Sequence, residues 1–257
     1  MQLNTYIINF MAKKRVAKKQ LLGSIGDDII ISINDRSNKI QKLNINNKFE
    51  MTDMQHSFVE TIKHYKTNMV FCNGPAGVAK TYLSILAGLE LLNRNSIEQI
   101  VYIRSVAESA AKSLGFLPGE ASDKFDPFVA PLMDKLEELL PIPQMNQLIS
   151  DGVIRAIPNN YLRGTTFRNS LVVIDEYQNL TYKELVTILT RIGEGTKYVI
   201  LGDPMQSDIG SNSKATELFN KFNDSESEEN GIFTFEFTEN EIVRSEILKF
   251  IVKKLSS

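Results

Sequence analysis

One stretch, residues 69–84, constrains the fold of this chain more than any other. An apolar run, Met-Val-Phe-Cys, leads into a loop with Gly74 and Gly77, which is followed directly by Lys80 and Thr81. The spacing fits the pattern Gly-x-x-x-x-Gly-Lys-Ser/Thr, in which backbone N–H groups surround a phosphate, the lysine reaches the β/γ-phosphates and the hydroxyl binds Mg²⁺. The stretch therefore predicts a buried strand, a phosphate loop and a helix that begins at Lys80 with its positive end toward the phosphates.

The loop departs from this pattern at one position, because Ala79 stands where glycine is expected. A methyl group fits there only if the residue keeps a negative φ and the phosphate leaves that space free. The alternative is a glycine-rich strand-to-helix turn with an incidental lysine, and residues further along the chain count against it. The candidate nucleotide-binding residues of the loop are Gly74, Pro75, Ala76, Gly77, Val78, Ala79, Lys80, Thr81 and Tyr82.

Composition narrows the class of protein. A chain of 257 residues with 42% hydrophobic and 23% charged residues has the size and balance of a globular α/β domain with extensions. The net charge of −2 does not indicate a nucleic-acid binder, so any such surface must be local. The single cysteine, Cys72, excludes an internal disulfide and a cysteine zinc site. We expect a cytoplasmic protein without a membrane partner, since there is neither a membrane-spanning run nor a secretory signal.

The first fifty residues differ from the rest, and we divide the chain into a basic extension (1–50) and a nucleotide-binding domain (51–257). Residues 13–19 contain five basic side chains, and no acidic residue occurs before Asp27. Such a cluster either holds phosphates electrostatically or is a solvated tail, and the sequence leaves both open. Apolar alternation over 28–34 and 42–46 predicts a small hairpin.

Within the second part, helical and extended patterns alternate. Strands are predicted at 99–103, 171–174, 197–201 and 232–237, and helices at 52–65, 80–92, 124–140, 182–192, 214–222 and 245–255. The acidic run 223–231 is predicted to be a solvated loop. Right-handed crossovers would place helices on both faces of a mostly parallel sheet. The predicted fold is α/β: a single RecA-like P-loop domain.

Polar residues at strand ends predict hydrolysis. Asp175 and Glu176 follow the apolar run 171–174, so Asp175 would hold Mg²⁺ through a water molecule and Glu176 would orient or deprotonate the attacking water. Gln206 follows the next strand and would hold that water in line. Arg244 opens the last helix, where a guanidinium reaches phosphate charge in the transition state.

Two further features extend the site. Gln55 lies at the start of the helix before the phosphate loop, where an amide can read the adenine edge by donating and accepting at once. Arg104, Arg163 and Arg168 occur with the aromatic residues Tyr161 and Phe167, a mixture that lines single-stranded nucleic-acid paths and equally serves packing and salt bridges.

Several segments together resemble the PhoH family of ATPases. They are Gly-Pro-Ala-Gly at 74–77, Leu-Gly-Phe-Leu-Pro-Gly at 114–119, Asp-Pro-Phe at 126–128, Arg-Gly-x-Thr-Phe at 163–167, Asp-Glu-x-Gln-Asn at 175–179, Leu-Thr-Arg-Ile-Gly at 189–193, Gly-Asp at 202–203 and Val-Arg at 243–244. The resemblance implies a RecA-like core related to superfamily-one helicases, with ATP and Mg²⁺ as ligands and a role in RNA or DNA metabolism. It also implies a homo-oligomer, such as a hexameric ring. Tyr177 stands where the family usually has a small residue, and the compact form resembles bacteriophage versions, which act in the host cytoplasm.

Two functions of different class follow from this. One is an ATPase that moves or remodels single-stranded RNA or DNA, as a helicase-like enzyme. The other is a nucleotide-binding assembly protein whose turnover is vestigial because of Ala79. The complete set of hydrolytic carboxylates favours the first function, and the alanine favours the second.

Overall fold

The computed structural model describes residues 42–105, 121–158, 166–210, 213–243 and 246–256, with only the backbone described over 121–128. Several sequence predictions fall outside these ranges. They concern the basic cluster at 13–19, the first arm of the hairpin, the turn at 114–119, and residues Tyr161, Arg163 and Arg244.

A sheet of six parallel strands organises the domain, in the order β3-β2-β4-β5-β1-β6. The strands are β1 (Met69–Asn73), β2 (Gln99–Arg104), β3 (Ile154–Pro158), β4 (Ser170–Asp175), β5 (Lys197–Gly202) and β6 (Ile232–Glu236). Because β5 lies between β1 and β4, the residues after β5 are flanked by those after both neighbours. The carboxyl ends of these three strands form the edge at which open α/β sheets bind ligands.

Eight helices are described: α1 (Asp53–Lys63), α2 (Lys80–Asn93), α3 (Ala121–Leu139), α4 (Ile142–Ser150), α5 (Tyr182–Leu189), α6 (Ala215–Lys221), α7 (Ser225–Glu229) and α8 (Glu246–Ser256). Three 3₁₀ turns follow strands, at Tyr177–Asn179, Pro204–Gln206 and Glu239–Glu241. None of these helices is both long enough and apolar enough to cross a membrane.

The sheet separates two hydrophobic clusters, which explains why its central strands read as continuous apolar runs. Along β1, Val70 and Cys72 belong to the cluster that contains most of α2, whereas Met69 and Phe71 belong to the cluster under α5 and α6. Successive strand residues point to opposite faces, so both sets of side chains are buried. The α/β fold, the parallel sheet and the five strands predicted within the nucleotide-binding domain are confirmed, with each boundary of these strands within one residue of its prediction.

Two local predictions are wrong. Residues 42–46 form no strand; instead this segment lies against α2, where the backbone N–H of Leu43 donates to Asn93 Oδ1 over 2.7 Å. Residues 225–229 form the short helix α7 rather than a loop, because Asp224 caps it by accepting from the Ser227 N–H over 2.8 Å. Sequence patterns also missed β3 and α4.

Candidate nucleotide-binding site

The phosphate loop connects β1 to α2 and lies beneath the C-terminal part of the chain. Gly77 has φ +90°, and a Cβ atom there would lie 2.6 Å from Leu248 Cδ2 on α8. The backbone conformation favours glycine at this position, and a Cβ would also displace the end of the Leu248 side chain on α8. On the other side of the loop, Val243 donates its N–H to the Gly77 carbonyl over 3.4 Å. The C-terminal segment therefore packs directly on the loop.

Ala79 adopts the left-handed conformation, with φ 63° and ψ 22°. The condition set for a methyl group at this position, a negative φ, is not met, because the turn into α2 needs the conformation that glycine normally supplies. An L-residue in this region costs roughly 1–2 kcal/mol. Ala79 is also the N-cap of α2 and provides no side-chain hydrogen bond. The first N–H groups of α2 are thus left without a side-chain cap, as they are where a helix N-terminus receives an anion.

Lys80 supplies the one positive charge of the loop. Its Nζ donates to the carbonyl of Gly74 over 2.5 Å and to that of Pro75 over 3.0 Å. Both carbonyls belong to the loop itself, so the ammonium group lies folded over the turn that would surround a phosphate. The other residues of the segment differ in exposure, since Val78 is buried and Ala76 is exposed. The Tyr82 hydroxyl donates to Asn47 Oδ1 over 3.0 Å.

Thr81 and Asp175, the two predicted metal ligands, lie together. The hydroxyl of Thr81 donates to Asp175 Oδ2 over 3.0 Å, although the two residues belong to different elements. Magnesium binds oxygen at about 2.0–2.1 Å in octahedral geometry, so adjacent ligands lie about 2.9 Å apart. The observed separation fits two neighbouring ligands of Mg²⁺. No group of three His, Cys, Asp or Glu side chains in the described residues could hold a metal alone, so water and phosphate would complete the shell.

Tyr102 is a site residue that the sequence did not reveal. Its hydroxyl donates to Asp175 Oδ2 over 2.6 Å from within the apolar core. Burial raises the pKa of the Tyr102 phenol well above its usual value, and the Asp175 charge and the hydrogen bond raise it further. The phenol therefore remains a donor. The only sequence signal was an aromatic polar residue near the end of a strand that pairs with β4, a position that packing alone also explains.

Glu176 follows β4 in the left-handed conformation, with φ 57° and ψ 41°. Its Oε2 accepts from Gln178 Nε2 over 2.6 Å, and its Oε1 lies 3.7 Å from Arg104 Nη2. Ser105 also donates its hydroxyl to the Glu176 carbonyl over 3.0 Å. Glu176 Oε2 accepts a hydrogen bond and Oε1 faces a guanidinium, so the carboxylate has a preferred direction, which is what a group that orients water needs.

The loop after β5 carries the predicted water-holding residue. Gln206 is exposed, and its Nε2 donates to Asp203 Oδ2 over 2.8 Å. Asp203 in turn caps the turn by accepting from the Met205 N–H over 3.0 Å. Since β5 lies between β1 and β4, this loop is placed beside both the phosphate loop and Glu176.

Gln55 is fully buried, and both ends of its amide are engaged within the chain. Its Oε1 accepts from the Thr52 N–H over 2.9 Å, which forms a capping box at the start of α1. Its Nε2 donates to the carbonyls of Val78 over 3.3 Å and Glu241 over 2.9 Å. Gln55 thus ties α1, the phosphate loop and the C-terminal segment together. Its adenine-reading role stays a prediction, and it would require exchange of these bonds.

The predicted basic and aromatic surface is only partly supported. Phe167 is 1% exposed and packs against Tyr198, so of the two roles left open for it the structure supports packing rather than base stacking. Arg168 is exposed, and Arg104 lies beside Glu176 rather than on an open surface. Arg244 lies outside the described residues, but Val243 and Leu248 on either side of it both contact Gly77.

Four features define a P-loop nucleoside triphosphatase fold of the RecA-like type. They are the parallel sheet, the phosphate loop after β1, the turn after β4 that carries Asp175 and Glu176, and the polar loop after β5, which lies between these two strands. The chain belongs to the PhoH family, since the family described as PhoH-like protein matches residues 49–256.

Curated relatives share about a third of their aligned residues with this chain. A PhoH-like protein of Synechocystis is 37% identical over 164 residues, which cover 64% of this chain and 49% of the relative. A PhoH-like protein of Bacillus subtilis is 37% identical over 63% of this chain and 50% of its own length. Protein PhoH of Escherichia coli K12 is 33% identical over 62% and 46%. The aligned region therefore spans about half the length of these relatives.

Among solved structures, the SWI2/SNF2 ATPase core of Sulfolobus solfataricus in complex with dsDNA is similar with a TM-score of 0.47 and 14% identity, covering 79% of this chain and 48% of that chain.

Proposed function

We propose that this chain binds ATP with Mg²⁺ and hydrolyses it. The observation that carries the proposal is the meeting of Thr81 with Asp175 at 3.0 Å, beside Lys80 and Glu176 at one edge of the sheet. Residues from three elements supply the groups that phosphoryl transfer needs: a cation for the β/γ-phosphates, oxygens for the metal and a carboxylate for water. When bound, Mg²⁺ would neutralise phosphate charge, and Thr81 and Asp175 would hold it.

Each residue has a distinct role in the proposed reaction. Lys80 releases the loop carbonyls and pairs with phosphate oxygens, while the uncapped N–H groups of α2 face the same charge. Glu176 accepts a proton from the attacking water or aligns it, and Gln206 holds that water from the neighbouring loop. Arg244 would stabilise charge on the transferred phosphoryl group.

We further propose that hydrolysis serves RNA or DNA metabolism, through movement or remodelling of a single strand. Membership of the PhoH family and the exposed Arg168 support this role, and stimulation by nucleic acid is its test. An oligomer, such as a ring, would let Arg244 of one copy act on the nucleotide of the next. The division into a basic extension and an ATPase domain, and the cytoplasmic location, remain predictions.

One observation favours the second candidate, a nucleotide-binding assembly protein with vestigial turnover. Ala79 holds a left-handed conformation at the entrance to α2, where the backbone must adapt to the phosphate. Strain at that position reduces the free energy gained when the loop closes around a ligand. In this case ATP would act as a conformational ligand.

Phosphate release by the purified protein, with and without single-stranded RNA or DNA, separates the two functions. We expect Mg²⁺-dependent release that nucleic acid stimulates. Lys80→Ala should lose ATP binding in calorimetry, because the loop then has no full positive charge for the phosphates. Glu176→Gln should bind ATP normally and lose about 10²–10⁴-fold in rate, the usual contribution of general base catalysis.

Binding without turnover in the wild-type protein would support the assembly function instead. Unchanged ATP affinity in Lys80→Ala would place the nucleotide elsewhere and contradict the proposed site.

A further inference from the structure

The three residues after Glu176 bond to the end of β1 and to the loop after β5. Tyr177 donates its hydroxyl to Asn73 Oδ1 at the end of β1 over 2.8 Å. Gln178 contacts Asp203 in the loop after β5, and Asn179 contacts Asp208 in the same loop. One short 3₁₀ turn, Tyr177–Asn179, thus joins Glu176, which precedes it, to the phosphate-loop strand and to the loop after β5.

Gln178 is the central residue of this turn and is fully buried. Its Oε1 accepts the backbone N–H of Asp203 over 3.1 Å, and its Nε2 donates to Glu176 Oε2 over 2.6 Å. A backbone N–H can only donate, and a carboxylate normally accepts, so the orientation of the amide is determined by its partners. A single side chain therefore bridges Glu176 and the start of the β5 loop.

Additional bonds bind the β5 loop to the same turn. The Ser207 hydroxyl donates to the Gln178 carbonyl over 3.2 Å. Asn179 and Asp208 exchange two bonds, from Asn179 Nδ2 to Asp208 Oδ2 over 3.1 Å and from the Asp208 N–H to Asn179 Oδ1 over 2.7 Å. Both ends of segment 203–208 are thus held to the turn Tyr177–Asn179.

The close approach depends on Gly202, the last residue of β5. A Cβ atom there would lie 2.5 Å from Tyr177 Cδ1 and 2.6 Å from Gln178 Oε1. A side chain at this position would push Tyr177 and Gln178 away from the strand. The absence of one lets them pass over β5 and reach their partners.

We infer that Gln178 is a positioning residue that makes the direction of the Glu176 carboxylate depend on the position of the β5 loop. The inference rests on the proposed hydrolysis of ATP, in which Glu176 and Gln206 hold the same water. When a nucleotide or a partner displaces the loop, the hydrogen bond from the Asp203 N–H to Gln178 Oε1 is pulled and the Gln178 amide rotates. The hydrogen bond from Gln178 Nε2 to Glu176 Oε2 then breaks. Hydrolysis is then switched without any change in the phosphate loop.

Two substitutions separate the two bonds of the amide. Gln178→Glu keeps an acceptor for the Asp203 N–H but replaces the donor to Glu176 by a second carboxylate. Gln178→Met has similar length and removes both bonds. Gln147→Met serves as control, because the Gln147 side chain on α4 donates to Asp151 Oδ2 at the end of the same helix, over 3.2 Å.

Hydrogen exchange measures the loop without any need for turnover. We expect amides in 203–208 to exchange about tenfold faster in Gln178→Met, since the Asp203 N–H loses its acceptor. Gln178→Glu should exchange at the wild-type rate. Equal exchange in wild type and Gln178→Met would overturn the inference, whether or not the protein hydrolyses ATP.

Single-turnover hydrolysis measures the effect on Glu176. We expect both variants to lose about 10–100-fold in rate, with ATP affinity within about twofold of wild type and of Gln147→Met. A parallel loss of affinity and rate would show a merely structural role and would overturn the inference. A wild type without turnover would contradict the proposed function, while the exchange experiment would still decide whether Gln178 holds the loop.

Discussion

The hydroxyl of Tyr102 donates to Asp175 Oδ2 over 2.6 Å, and Tyr102 itself is 1% exposed. The same carboxylate oxygen accepts from Thr81. One partner comes from the neighbouring strand and the other from the helix after the phosphate loop. The proposed metal carboxylate is thus oriented by the core of the domain as well as by the nucleotide site.

Tyr102→Phe should weaken Mg²⁺ binding while it leaves metal-free ATP binding unchanged. The ring still fills the core, but Asp175 loses the donor that fixes its direction, and removal of such partners typically costs 10–100-fold in metal affinity. The effect is measured by titrating Mg²⁺ into the ATP complex and recording the rise in Tm at each concentration.

Tyr198→Phe is a matched control for that substitution. Tyr198 is also buried, and its hydroxyl donates to the Ile188 carbonyl over 3.0 Å, away from Asp175. Equal changes of Mg²⁺ affinity in the two variants would show that loss of any buried phenol produces the effect, and would contradict the assignment.

Ala79→Gly should stabilise the folded protein by about 0.5–1 kcal/mol. Relief of the left-handed strain gains roughly 1–2 kcal/mol, and the greater freedom of glycine in the unfolded chain offsets part of this gain. If the strain at Ala79 limits turnover, the same variant should also raise the rate of phosphate release. Urea unfolding and steady-state kinetics provide the two measurements.

Asn95→Gly is the control for Ala79→Gly, because Asn95 also has a positive φ of 53° but follows the far end of α2. It should alter stability slightly and leave the rate unchanged. No gain of turnover in Ala79→Gly, in a wild type that already hydrolyses ATP well, would refute the idea that the alanine limits the reaction.

The sequence predicted those parts of the fold that depend on local patterns. Apolar runs ending in Asn73, Asp175 and Asp203 located three strands and the edge where they end, because parallel strands that are buried on both faces read as continuous apolar segments. The outer strand β3 was missed, since Arg155 interrupts a short run that ends in proline.

Other features of the site depend on contacts that no local pattern encodes. The bonds of Tyr102 and Gln178 form only when strands that are distant in sequence lie side by side. Phe167 is an aromatic residue next to arginines in the sequence, as in single-stranded nucleic-acid paths, but it is buried because it packs against Tyr198 on β5. The positive φ of Ala79 is set by the geometry of the turn, which overrides the preference of an L-residue.

Cys72 provides a probe of loop opening, since it is the only cysteine of the chain and lies at the end of β1. Burial raises the pKa of its thiol to about 12. The thiolate is the reactive form, so at pH 8 alkylation should be negligible in the folded protein and rapid in denaturant. ATP with Mg²⁺ should slow the labelling further, because ligand binding lowers the population of open forms. Rapid labelling of the folded protein at pH 8 would contradict the buried position.

The last prediction concerns sharing of the site between copies. Arg244 follows the final strand in sequence, and the neighbouring residues Val243 and Leu248 contact Gly77 of the chain's own loop. In an oligomer, Arg244 could act on the neighbour's nucleotide, and an arginine supplied in trans contributes roughly 10³–10⁵ in rate. We expect a mixture of Lys80→Ala protein and Arg244→Ala protein to regain ATPase activity, because an intact loop and an intact arginine then meet at some interfaces. Each variant alone is the control. No recovery despite demonstrated co-assembly, or a wild type that is fully active as a monomer in light scattering, would rule out sharing of the site between copies.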